Sequence, residues 1–141
     1  MNHYVAMFLF MLLAGLLSTM NLWANQWDDI RWSVNDLYMI LVMTGWMFFF
    51  MGLHDRKASV VLVGLGMVIT GMTAIRTQFL VDTKQYLLGM IPHHSMAVLM
   101  SRRLQDKGTL TPSMTKFLQQ LIQTQEEEIQ WMKKIDPSIY Q

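Results

Sequence analysis

The sequence predicts an all-α chain: three transmembrane helices over 1–75, then an antiparallel helical hairpin outside the bilayer over 76–141. Three observations predict it. Of 141 residues, 52% are hydrophobic and only 15% charged, against about 25% charged in an ordinary soluble domain. The deficit is one-sided. Up to Ile75 the only charged side chains are Asp28, Asp29, Arg31, Asp36, Asp55, Arg56 and Lys57, whereas from Arg76 onward there are eight Lys or Arg and six Asp or Glu. Finally, the charge-poor part holds three apolar runs, at 4–22, 34–53 and 58–75, each near the ~20 residues that a helix needs to cross a bilayer core.

Each run must be helical, because lipid offers backbone N–H and C=O groups no partner but one another. The first lacks a basic flank and a small-x-small cleavage site before Asn25, so an uncleaved anchor is expected. Gly64, Gly66 and Gly71 in the third run read as close-packing positions, with Gly45 on the second run as a partner surface. The short link from His54 to Lys57 makes the second and third helices antiparallel neighbours. The link from Asn21 to Ser33 carries Trp23, Trp27 and Trp32, and indoles favour the headgroup level, so an interfacial belt is expected there. Arg56 and Lys57 on one side, against Arg31, Arg76 and Lys84 on the other, leave the orientation undecided by charge.

The hairpin is read as helices over 81–107 and 112–135. Gly108 suits a helix C-cap, Thr111 an N-cap and Pro112 the first helical position. In the second helix Leu118, Leu121, Gln125, Ile129 and Met132 recur at spacings of three and four, which marks the face that meets the first helix. In the first, at about 100° per residue, His93, His94, Ala97 and Ser101 fall within roughly 60° of Met90. Both histidines are thereby placed on the inner face. Pro92 is expected to kink or restart the helix beside them.

The near-neutral charge of +1 argues against a nucleic-acid partner, and the absence of cysteine excludes disulfides and thiolate sites. Imidazole with thioether is a donor set suited to copper, with zinc as the alternative that imidazole also accepts. Met90, His93 and His94 can point at one ion, and Glu128 and Met132 can approach from the facing helix, with Gln125 orienting a ligand from behind. The competing reading is structural: methionines at helical spacing are core, and Gln125 or Glu128 satisfies a buried histidine. Whether the chain is an enzyme is left open by the sequence, with no motif in favour of one. Met90 and Ile91 stand three residues before the histidines, so the Glu-x-x-His pattern of di-iron bundles is absent, as are a phosphate loop and HExxH.

The run Tyr86-Leu87-Leu88-Gly89-Met90-Ile91-Pro92-His93-His94-Ser95-Met96-Ala97, followed by Gln125-x-x-Glu128-Ile129-x-x-Met132, resembles the family catalogued as domain of unknown function 305. The resemblance covers Arg76 to Ile135, and Arg76-Thr77-Gln78 beside a short membrane portion looks like its small membrane-anchored branch. Where many members carry Asp three residues before the aromatic, this chain has Thr83, with Asp82 one place earlier. The resemblance implies a ferritin-like helical domain, here a half-bundle that a homodimer through the hairpin would complete. It implies a bacterial envelope protein in the inner (plasma) membrane, its hairpin periplasmic or extracellular. It also implies copper handling or resistance through Met90, His93, His94, Gln125, Glu128 and Met132. The alternative expectation is a metal-independent membrane interaction module whose His/Glu/Gln set is a hydrogen-bonded core.

Overall fold

The computed structural model describes residues 3–135, and every regular element among them is helical. The end of the expected hairpin domain, 136–141, lies outside the described residues. The elements are α1 (His3–Leu17), α2 (Val34–His54), α3 (Ala58–Thr77), α4 (Thr83–Asp106) and α5 (Pro112–Ile135), with 3-10 turns at Met20–Trp23 and Trp27–Asp29. Three stretches are long and apolar enough to cross a membrane: His3–Trp23, Val34–His54 and Ala58–Thr77. The first is not one α-helix, as the apolar run suggested. It tightens after Leu17, where Ser18 N–H bonds back to the carbonyl of Gly15, and continues as the turn Met20–Trp23.

The chain divides into two compact units. One holds α1, α2 and α3; the other holds α4, α5 and the segment Met20–Ser33. In the first unit, α2 and α3 approach backbone to backbone. A methyl group on Gly64 would strike the backbone of Phe49 and lie 2.7 Å from the carbonyl oxygen of Gly45, and one on Gly52 would lie 2.6 Å from the amide nitrogen of Val61. Small residues permit this approach, which is how helices gain van der Waals contact in lipid. Gly71 belongs to the same seam, against Val42. Gly66 does not: a methyl group there meets nothing within 4 Å, because two residues along a helix turn a side chain about 200° away. α3 ends at Gln78, which takes a left-handed conformation with φ of 50° and returns its N–H to Ala74 and Ile75.

In the second unit, Asp82 caps α4 by accepting a 2.7 Å hydrogen bond from Gln85 N–H. Asp82 therefore has a local task. Thr111 accepts from Met114 N–H at the start of α5, Pro112 is its first residue, and Gly108 takes φ of 77° in the turn. These are the expected caps. α4 runs unbroken through Pro92, which is buried, so the expected restart does not occur. Leu87, Ile91, Ile129 and Met132 form the core between the helices, with Leu88 and Met90 packed against it. Met132 thus spends its side chain on the apolar core.

Candidate functional site at the hairpin seam

The buried face of α4 follows Leu87, Ile91, Ser95 and Val98, a row of three- and four-residue steps. His94 flanks this row and His93 lies away from it. The imidazole of His94 is 13% exposed, while His93 is an exposed residue. The expected placement of both rings on the inner face therefore holds for His94 alone, since adjacent residues on a helix diverge by about 100°. The two rings stand 6.0 Å apart between centroids, at 61°.

His94 Nδ1 lies 3.1 Å from Glu128 Oε2. This is ion-pair distance, but off the line of a well-formed hydrogen bond. Gln125 Nε2 donates to the same carboxylate oxygen at 3.3 Å. Burial is the largest influence on His94 and pushes its pKa below the ordinary value; His93 adds to this and Glu128 opposes it. His94 is consequently a neutral imidazole at pH 7. The structure brings together His94, Glu128 and Gln125, sets Met90 against the neighbouring core, keeps Met132 inside it, and leaves His93 outside. Among the described residues, no three of His, Asp and Glu gather in a cluster that could hold a metal ion.

A second polar constellation, not anticipated from the sequence, converges on Ser95 of the same row. Asn21 closes the segment Met20–Ser33 on itself, donating to Arg31 O at 2.7 Å and accepting from Arg31 N–H at 2.9 Å. Within that segment Asn25 N–H donates to Ser95 Oγ at 2.8 Å, and Ser95 Oγ donates to Asp29 Oδ2 at 2.6 Å. Lys133 Nζ pairs with Asp28 Oδ2 and, at 2.7 Å, with Asp29 Oδ1. Ser95, Asp29 and Lys133 are all buried. Hydrogen bonding and charge from Lys133 hold the Asp28 carboxyl below its ordinary range. Burial alone would lower the Lys133 pKa, but the two carboxylates outweigh it and raise the value, so the ammonium stays charged. A cavity of about 250 Å3 opens beside this lock, lined among others by Asn25, Gln26, Asp29, Ser95 and Gln130. The available signal was a pair of carboxylates in a charge-poor stretch, but only the folded chain matches them to a lysine more than a hundred residues away.

The sequence model of the family described as "Domain of unknown function (DUF305)" matches residues 17–136. The chain belongs to this family. The DUF305 match is longer than the motif resemblance over Arg76–Ile135, and it takes in the Met20–Ser33 segment with its two aspartates as well as α2 and α3. The chain is also similar to "Uncharacterized protein L153" of Acanthamoeba polyphaga mimivirus, with 43% identity over 127 residues that cover 86% of this chain and 83% of that protein. No solved structure matches the chain.

Proposed function

We propose that this DUF305 chain is a membrane-anchored metal-binding protein that handles copper at the cell envelope, with His94 as the central donor. The observation that carries this reading is the neutral, largely buried imidazole of His94, whose Nδ1 faces Glu128. A neutral ring is the ligand form. A carboxylate on one nitrogen orients the ring and raises the basicity of the other, leaving Nε2 as the coordinating atom. His93 is adjacent and exposed, and Met90 stands one turn earlier on α4, so an imidazole and a thioether are available to a soft ion. Gln125 steadies Glu128 from behind. The residues present fit copper better through Met90, His93 and His94 than through the full expected set: Met132 is buried in the core, whereas Met90 only packs against it and is half-buried. The three apolar helices serve as the anchor, with the hairpin on the outer side of the membrane and a second copy completing a four-helix arrangement.

The test is metal content of the full chain purified from membranes without chelator, followed by titration against a Cu(I) competitor probe. His94→Ala is expected to weaken Cu(I) binding at least about tenfold, and Glu128→Gln within the ~10–100-fold range of outer-shell changes. A wild-type chain that does not compete for Cu(I) overturns the copper reading. One observation favours a second reading: the Glu128 carboxylate is already engaged by protein groups, with His94 Nδ1 facing it at 3.1 Å across the seam and Gln125 Nε2 donating to it along α5. In that case the hairpin is a metal-independent interaction module with a polar register device. Cross-linking of the full chain in membranes that is unchanged by chelator, with no copper bound, is its signature.

A further inference from the structure

At the turn end of the hairpin, away from His94, α4 and α5 leave an apolar groove of about 540 Å3. Its lining includes Trp23, Met100, Leu104 and Phe117, and Arg103 and Lys107 stand at its rim. These apolar residues are not closed over: Trp23 is 52%, Met100 53% and Phe117 55% exposed. Large apolar side chains gathered in one open groove, rather than scattered singly, make it a candidate interaction surface.

We propose that this groove docks onto the anionic surface of the bilayer that the chain's own helices cross. Two observations select that partner. Around the groove stand Arg102, Arg103, Lys107 and Lys116; Arg102 pairs with Glu126 and Arg103, at 3.4 Å, with Asp106, so the local charge remains positive through Lys107 and Lys116. An apolar face edged by Lys and Arg is the composition that lies in a headgroup layer, where apolar burial and attraction to anionic lipid add together. Moreover, Trp23 both lines the groove and ends the first apolar stretch, His3–Trp23. Covalent continuity therefore ties one wall of the groove to the end of a membrane span, where indole rings settle. Docking here lays the turn end of the hairpin against lipid and leaves His93 and His94, on the earlier half of α4, outside the contact.

The inference rests on the reading of the apolar helices as membrane spans, and one experiment separates the two. The chain has no cysteine, so single spin labels can be placed without background. Full-length chain is reconstituted in nanodiscs of phosphatidylcholine with and without phosphatidylserine, labelled at Phe117→Cys, at Met100→Cys on the other helix, at exposed Gln119→Cys as a water control, and at Phe50→Cys in α2. The expected result is a lipid-like ratio of oxygen to polar-relaxant collisions at 117 and 100, about threefold or more above that at 119, and strongest with phosphatidylserine. Arg103→Glu with Lys107→Glu should weaken docking by roughly tenfold or more in the anionic discs. Water-like labels at 117 and 100 alongside a lipid-like label at 50 overturn the docking and leave the spans standing. A water-like label at 50 overturns the spans and the docking with them. Spin–spin broadening between labels at 117, independent of lipid charge, overturns it in favour of a second copy in the groove.

Discussion

His94 is held between two opposed influences, burial that expels its proton and a carboxylate that invites it, and burial prevails. The consequence for stability has a definite sign. A histidine whose folded pKa is depressed contributes stability that is complete above its ordinary value of 6.5 and is lost as pH falls through that value toward the folded one. The unfolding midpoint of the full chain in micelles should therefore fall between pH 7 and pH 5, and His94→Gln should flatten that slope. Asp28 is depressed from 3.8 and so acts only in stronger acid, below that window. Lys133 gives a second residue-scale expectation. It is buried against Asp29, itself buried, and removing one member of such a pair strands the other charge at a cost of about 3–5 kcal/mol. Lys133→Met should destabilise the second unit by that order, whereas Lys134→Met, at an exposed position next to it, should be nearly neutral. Urea unfolding read by circular dichroism distinguishes them. The proximity of Ser95, Asp28, Asp29 and Lys133 was not legible in sequence. Each is an ordinary polar residue until the segment Met20–Ser33 is folded back onto α4 and α5.

At the scale of the element, the helices were legible because their signals are local. Apolar runs, caps and the Gly-Thr-Leu-Thr-Pro turn act over a few residues, and Gly108, Thr111 and Pro112 take the positions their backbone preferences dictate. Which glycines pack was only half legible, because one run of apolar sequence does not say which side meets a neighbour. The structure separates Gly64, under the backbone of Phe49, from Gly66, with open space above it. Gly64→Ala should pry α2 from α3 and cost ~1–3 kcal/mol as overpacking, whereas Gly66→Ala should be neutral or slightly stabilising through helix propensity. Denaturation of the two variants in mixed micelles gives the comparison. The phase of α4 shows the same limit. A face centred on Met90 gathers both histidines, but the buried row runs through Ile91, Ser95 and Val98, and that rotation is enough to turn His93 outward.

For the molecule as a whole, the second unit is discontinuous in sequence, built from Met20–Ser33 together with the hairpin. A fragment of 82–141 alone lacks the partners of Ser95 and Lys133. It should unfold at a lower urea concentration than the same fragment fused through a flexible linker to 20–33, and the fusion should recover the loss when Asp28 and Asp29 are kept but not when both are changed to Leu. Equal midpoints would show that the buried pairing adds no net stability. Composition and periodicity by themselves determined that the chain is all-helical, that three of its stretches are apolar enough to cross a membrane, and where the hairpin turns. Those properties follow from the solvation of each segment taken alone. Only the tertiary structure decided that His94 and not His93 enters the seam, that Met132 belongs to the core, and that the link after α1 is a working part of the hairpin unit. Those outcomes depend on helix rotation and on pairing between distant charges, and neither is encoded in any single stretch of the chain.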